Sequence, residues 1–250
     1  QLLWTYLIPA TMEGKATHNV QNAMFAAALA FSLGKSLDDI RHGLRTFNST
    51  FFQAPGRMNV FDEHPFRVIL DYGHYAAAIA CIAQLADRLD VVGRKICVLA
   101  APGDRRDEDI LAIANEVAGH FDHYICKADD HRRGRGEDEV PEMLHAQLLE
   151  SGVGDGRIEV IPDETQAVEA ALNMALEGDL VVIFGDNIQR CWKQVAGFTS
   201  EEQPSNEARG GKLAPSFVEA DPQAFQLDPG SELIRDERGV RIARLDEESD

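Results

Sequence analysis

Apolar positions along the chain gather into short runs at 67–71 (RVILD), 95–100 (KICVLA), 123–127 (HYICK), 158–161 (IEVI) and 179–184 (DLVVIF). Each run is of strand length. Each is followed by a stretch with helical spacing of its apolar positions, at 76–89, 108–118, 140–151, 164–176 and 188–195. Strands that alternate with helices in this way predict an α/β fold: a Rossmann-like, mainly parallel sheet with helices on both faces.

Two helices are predicted ahead of this array. Residues 19–33 (NVQNAMFAAALAFSL) carry alanine and larger apolar residues at helical spacing and end at Gly34, a C-terminal stop signal. Ser36 caps the next helix, Asp38 and Asp39 suit its positive end, and Ile40, Leu44 and Phe47 mark its inner face. The piece 58–61 is expected to pair with 67–71 as a hairpin across a turn containing Pro65. Near the other end, 232–245 (ELIRDERGVRIARL) is compatible with a small hairpin.

Composition narrows the class of protein. The longest apolar stretch is interrupted by Ser32 and ended by Gly34, far short of the roughly 20 apolar residues that a membrane helix needs, so no membrane association is expected. The first ten residues lack the charged start and cleavage site of a signal peptide and read as mid-domain sequence without an initiator methionine, so the chain is expected to be a truncated one. Cys81, Cys97, Cys126 and Cys191 lie scattered in apolar segments with no C-x-x-C spacing, which disfavours zinc and a disulfide framework and fits a reducing cytoplasm. The net charge of −18 repels phosphate backbones and argues against nucleic acid as a partner. From Glu201 onward 13 Asp/Glu stand against 6 Lys/Arg, with Pro and Gly interspersed, which predicts a solvated acidic tail.

In parallel α/β sheets ligands gather where the loops leave the carboxyl ends of the strands. Asp71–Tyr72–Gly73–His74 is one such seam, and APGDRRDED (101–109), ADDHRRGRG (128–136) and GDNIQR (185–190) are three more. These four polar loops are therefore expected to share one rim. The histidines have no spacing that suggests a metal site, and no metal is expected to be held by this chain. No G-x-G-x-x-G follows a strand and no G-x-S-x-G occurs, which weakens dehydrogenase and serine-hydrolase readings. Trp4 and Trp192 are expected to be core or interface anchors.

The phrases HNVQNAMFAAALA (18–30), APGRMNVF (54–61), ILDYGHYAAAI (69–79), GDRRD (103–107) and DDHRRGR (129–135) follow in an order that resembles the ATP-dependent Mur-type ligases. NSTFFQAPGRMNVFDEH, CVLAAPGDRRDEDI and IFGDNIQRCWKQV resemble more closely still the branch of that family that adds arginine to the β-carboxylate of a polymer aspartate. The resemblance implies that 1–55 is the end of a central ATPase domain, 56–198 a complete carboxyl lobe, and 199–250 an acidic tail. It implies ATP, magnesium, arginine and an aspartate-containing polymer as ligands, a homo-oligomer, and a chain that is inactive alone. The G-x-x-x-x-G-K-[ST] loop of the central domain does not occur here, so that loop and the magnesium ligands are expected in upstream sequence.

Carried over residue by residue, the resemblance implies that Asn22 contacts adenine, Arg57 reaches the nucleotide phosphates, Asp71 accepts hydrogens from the ribose, and His74 stands beside Asp71 at the nucleotide mouth as the catalytic candidate. A carboxylate accepts two hydroxyl hydrogens, and a guanidinium offers a donor fork to phosphate. Arg105 or Arg106, with Asp129, Asp130, His131 and Arg133, would hold the incoming amino acid: Arg133 on its α-carboxylate, Asp129 or Asp130 on its guanidinium. On chemistry alone, Asn22 reads rather as a helix-surface amide and Arg57 as a salt-bridge partner beside a turn, and 129–139 reads equally as a solvated loop whose charges pair internally. Tyr75, Ala76 and His131 depart from the residues usual in the family, and Gln189 stands where a glutamate is common. These departures leave open another Mur-type ligase, of folate or cell-wall type, or a degenerate lobe kept for oligomer contacts or polymer binding.

Overall fold

The computed structural model describes residues 2–199 and the backbone of 231–236 and 239–244. The chain divides into two compact units, Gln1–Glu201 and Glu202–Asp250. In the second, β7 (Ser231–Asp236) and β8 (Gly239–Arg244) pair antiparallel, with Ser231 opposite Arg244 and Asp236 opposite Gly239.

The first unit opens with α1 (Thr17–Ser32) and α2 (Leu37–Thr46), then β1 (Asn59–Phe61) and β2 (Arg67–Asp71). The alternation that follows is α3 (Ala76–Arg88), β3 (Lys95–Leu99), α4 (Asp107–Val117), β4 (His123–Cys126), α5 (Glu139–Glu150), β5 (Ile158–Val160), α6 (Glu164–Met174), β6 (Leu180–Phe184) and α7 (Ile188–Gly197). The six-stranded sheet has the order β1-β2-β6-β3-β4-β5, with β1 antiparallel to β2 and the remaining pairs parallel. From β2 the chain skips one place to β3, continues outward through β4 and β5, and returns to insert β6 between β2 and β3. That reversal puts the switch point of the topology at the carboxyl ends of β2, β6 and β3, where a crevice opens in folds of this kind.

The period of two decides which face each strand residue serves. Ile69, Cys97, Leu99, Tyr124, Cys126, Val182 and Phe184 join the core made with α3, α4 and α5. Val68, Leu70, Ile96, Val98, Ile125, Val181 and Ile183 join the one made with α6 and α7. Both faces are thus covered, and β6 is buried along its whole length, as a central parallel strand must be. Helix starts follow their chemistry. Ser36 and Asp39 form a reciprocal capping box on α2, Asp163 accepts from the Gln166 N–H, and Asn187 accepts from the Arg190 N–H.

Some sequence expectations shift. Ile40 is buried, but Phe47 is 49% exposed, because it falls at the end of α2 with extended backbone rather than on the helix's inner face. α1 buries none of its own residues, and Phe25 and Leu33 are more than 70% exposed. Trp192 is an anchor, stacked on Phe51 at 4.7 Å between ring centres and edge-on to Phe61 at 5.7 Å. Trp4 is 58% exposed and meets Tyr6 instead.

Candidate active site

A cleft of about 120 Å³ lies at the switch point, and all four predicted loops contribute to it. Tyr72, Gly73 and His74 come from the end of β2, Pro102 and Arg105 from the end of β3, Asp129 and Arg133 from the loop after β4, and Phe184, Gly185 and Asp186 from the end of β6. Two guanidinium groups, two carboxylates and an imidazole therefore surround one small volume.

Asp71 sits just behind this cleft and is 8% exposed. Its Oδ2 accepts the Met58 N–H at 2.8 Å, which ties the start of β1 to the end of β2. Burial pushes its pKa above the ordinary aspartate value, and the N–H groups of Met58 and Gly73 with the charges of Arg57 and His74 oppose that rise. Arg57 is exposed one residue before Met58, so Arg57 and Asp71 share the same rim. Gly56 precedes them with φ +71°, the left-handed conformation a glycine adopts freely, and its N–H is held by Asn59 Oδ1 at 2.6 Å. Asn22 is exposed on α1 and donates to Asn19 Oδ1 at 3.1 Å, while Asn19 reaches Met58 Sδ at 4.0 Å. Asn22 does not line the cleft, but a chain of two contacts leads from it to the residue that holds Asp71.

His74 Nδ1 lies 3.0 Å from the Tyr72 carbonyl oxygen. A carbonyl only accepts, so Nδ1 carries the hydrogen and Nε2 is left for another partner. Tyr75, the residue before α3, is 54% exposed, has extended backbone and makes no side-chain cap.

The loops after β3 and β4 are fastened together. Arg135 donates to the carbonyl oxygens of Gly103 and Arg105 at 2.8 and 2.9 Å, and pairs with Asp107 at 2.6 Å and Glu139 at 2.8 Å. Arg133, at φ +50°, pairs with Asp104 at 2.6 Å across the same seam. Gly103 is required here by close approach, since a methyl group at its α-carbon would run into the Arg132 carbonyl oxygen. The two arginines of GDRRD thus separate: Arg105 lines the cleft, whereas Arg106 turns back to Asp109 and Glu108 on α4.

Within DDHRRGR only some of the candidates face the cleft. Asp129 does, with its side chain 12% exposed. Burial above all, and then the charges of Asp186 and Glu164, raise its pKa to about 6 against the pull of Lys127 and Arg133. Asp130 is occupied by Arg190 at 2.7 Å, and its N–H donates to Asp186 Oδ2 at 3.0 Å. His131 is exposed and does not line the cleft.

Beneath these loops lies a buried ion cluster that sequence reasoning missed. Glu164, at the start of α6, accepts the N–H groups of Asp186 and Asn187 at 2.7 and 3.2 Å, pairs closely with Arg190, and stands 3.0 Å from Lys127 Nζ. Burial alone would raise the Glu164 pKa, but Lys127, the Asp186 amide and Arg190 outweigh it and bring it down to about 2. The signal available in the sequence was Lys127 itself, a cation closing an otherwise apolar strand. Asp186, also missed as an individual site residue, stands in the GDNIQR loop that the strand-end rule did mark.

Comparison with known proteins follows the same residues. The glutamate ligase domain of the Mur ligases matches residues 56–187. The chain is 38% identical over 197 residues to cyanophycin synthetase of Nostoc sp., covering 78% of this chain and 22% of that protein. It is 36% identical over 184 residues to the cyanophycin synthetase of Synechocystis sp., covering 74% and 21%. The chain thus spans about one fifth of the length of these relatives. A 2,6-diaminopimelate ligase of Aquifex aeolicus is 29% identical over 191 residues, covering 74% of this chain and 37% of that protein. Among solved structures, the UDP-N-acetylmuramate-alanine ligase from Thermotoga maritima superposes with a TM-score of 0.53 at 20% identity, over 72% of this chain and 37% of that one. The likeness to that structure concerns the fold alone.

Proposed function

The chain belongs to the Mur ligase family, and on that premise we propose that it is the carboxyl lobe, with the end of the central domain at 1–55, of an ATP-dependent ligase of the cyanophycin synthetase kind. The polymer's aspartate β-carboxylate takes the terminal phosphoryl group of ATP, giving an acyl phosphate and ADP. The α-amine of arginine then forms a bond to the acyl carbon, the carbon–oxygen bond to phosphate breaks, and the amine gives up a proton. The product is an isopeptide.

One observation carries this reading: Arg105, Arg133, Asp129 and Asp186 surround one cleft at the switch point. A zwitterionic amino acid needs a cationic partner for its carboxylate and anionic partners for its cationic groups, and here both stand within one small volume. Arg105 is the freer of the two arginines, since Arg133 is already paired with Asp104. Asp129 with Asp186 is the carboxylate pair left for the substrate, because Asp130 is engaged by Arg190. Asp71 and Arg57 on the adjacent rim suit a ribose and phosphates, with Asn22 on the adenine side. His74, its Nε2 unengaged by Tyr72, stands between the two halves and is positioned to take a proton. Among the described residues no group of three His, Cys, Asp or Glu side chains gathers for a metal, and magnesium is proposed to be held mainly by residues of upstream sequence and the phosphates of ATP. The lobe's work is orientation and exclusion of water, since an acyl phosphate that meets water is lost to hydrolysis. The chain alone is therefore inactive, and the reducing cytoplasm that suits its four free cysteines is where the enzyme works.

The test is phosphate release from ATP by the natural full-length protein given an aspartate-terminated primer and either arginine, lysine, glutamate or diaminopimelate. Turnover that requires primer and arginine is expected. Turnover driven by glutamate or diaminopimelate instead would move the protein to another Mur-type ligase, and no turnover with any of them would favour a degenerate lobe.

A further inference from the structure

Lys127 is the least explained charge in the described residues. Its side chain is fully buried at the end of β4, its ammonium 3.0 Å from Glu164 Oε1 and 4.0 Å from Asp129 Oδ1. Neither contact has the alignment of a hydrogen bond, so a buried cation is left without one. Glu164 has partners besides Lys127, because that carboxylate also receives two backbone N–H groups and Arg190. A buried ion pair is in itself weak evidence of a stabilising role, since replacing both of its partners by apolar residues is often neutral.

We infer that Lys127 is a positioning residue of the cleft: from beneath the site its ammonium holds the Asp129 carboxylate ionised and in place to receive a cationic group of the incoming amino acid. The inference rests on the ligase reading for the identity of that ligand, though not for the coupling of the two side chains. The setting of Asp129 makes Lys127 decisive. Glu164 from α6 and Asp186 from the loop after β6 press on Asp129 with like charge. Arg133 on its own loop is drawn off by Asp104, and Arg190 on α7 is spent on Asp130 and Glu164. Arg105 and His74 face the cleft from the loops after β3 and β2. Lys127 is the cation beside Asp129 that no solvent screens, and a charge at that distance in a dry setting acts at far more than its aqueous strength.

The experiment follows the Asp129 carboxyl carbon by NMR through a pH titration of the full chain. In Lys127→Met the Asp129 midpoint is expected to rise by about one pH unit or more, the usual effect of losing an adjacent opposite charge, while Lys127→Arg keeps it close to wild type. An unchanged midpoint in Lys127→Met overturns the inference. Should that variant fail to fold, the wild type decides: the Lys127 Cε resonance is expected to inflect at the Asp129 midpoint and to lose that inflection in Asp129→Asn. An inflection absent from the wild type, or surviving in Asp129→Asn, overturns it equally. Calorimetric titration with L-arginine gives the functional arm. The loss of affinity in Lys127→Met is expected to be larger at pH 6.5 than at pH 8.5, and a loss equal at both values counts against the inference. If the wild type binds no arginine, the ligand reading fails, and the midpoints still decide the role of Lys127.

Discussion

Asp129 and Glu164 are carboxylates a few ångströms from the same lysine, yet they pull stability in opposite directions with pH. Asp129 has its pKa raised to about 6, so the folded state binds its proton more tightly than the unfolded chain does. Stability is therefore lost as pH rises from about 4 to about 6, by about 3 kcal/mol in all at 1.36 kcal/mol per unit. Asp129→Asn removes that loss: in urea denaturation its advantage over the wild type is expected to grow between pH 4.0 and pH 7.5 as arginine binding disappears. An advantage that does not change with pH would mean that Asp129 does not titrate in this window. Glu164 has its pKa lowered to about 2, so its contribution is complete above its ordinary value near 4.5 and is lost as pH falls toward 2. Glu164→Gln takes from the buried Lys127 its nearest counter-charge and leaves it only Asp129 at 4.0 Å, and a loss of about 3 kcal/mol is expected near pH 7. In the same denaturation series the gap should narrow as the pH is taken below 4.5. Neither residue's behaviour was legible from sequence. Asp129 was recognisable as a loop carboxylate, but its desolvation, and the whole of the Glu164 cluster, come from packing between β4, α6 and α7.

At the scale of elements, the entry to α3 at Tyr75 and Ala76 is where the backbone geometry says what the residues there cost the helix. Ala76 is the first residue of the helix, a position whose N–H has no acceptor within the helix, and Tyr75 before it is extended at φ −150°, ψ 152°. A proline suits such a first position, and an extended residue is what a proline requires before it. Ala76→Pro is therefore expected to stabilise the protein by about 0.4–1 kcal/mol, through the entropy of the unfolded chain; a thermal melt that falls instead would show that α3 does not begin as the backbone indicates. Element identity itself was readable because the central strands are apolar on both faces and α2, α6 and α7 carry their caps in sequence. Phe47 and α1 were harder. Their apolar residues have the spacing of a buried face, and spacing alone does not say whether a partner is present to bury it.

The strand order turns these pieces into a site. Sequence placed four polar loops at strand ends, but only the insertion of β6 between β2 and β3 brings the loops after β2, β3, β4 and β6 around one volume. A sheet with the same strands in sequential order would have spread them along an edge. It also separated residues that sequence had grouped, since Arg105 and Arg106 are neighbours in the chain and face different elements. The opposite rim has charges of its own, with His120 2.6 Å from Asp87 and His123 3.0 Å from Glu159, but these pair locally around the amino ends of β3, β4 and β5. A chemical-shift map of the chain titrated with L-arginine distinguishes the two rims. Shifts are expected together in 72–74, 102–105, 129–133 and 185–186, segments far apart in sequence, with His120, His123 and their partners unmoved. Shifts confined to one loop would mean the cleft does not act as a unit, and shifts at Asp87 and His120 would put the ligand at the wrong end of the sheet.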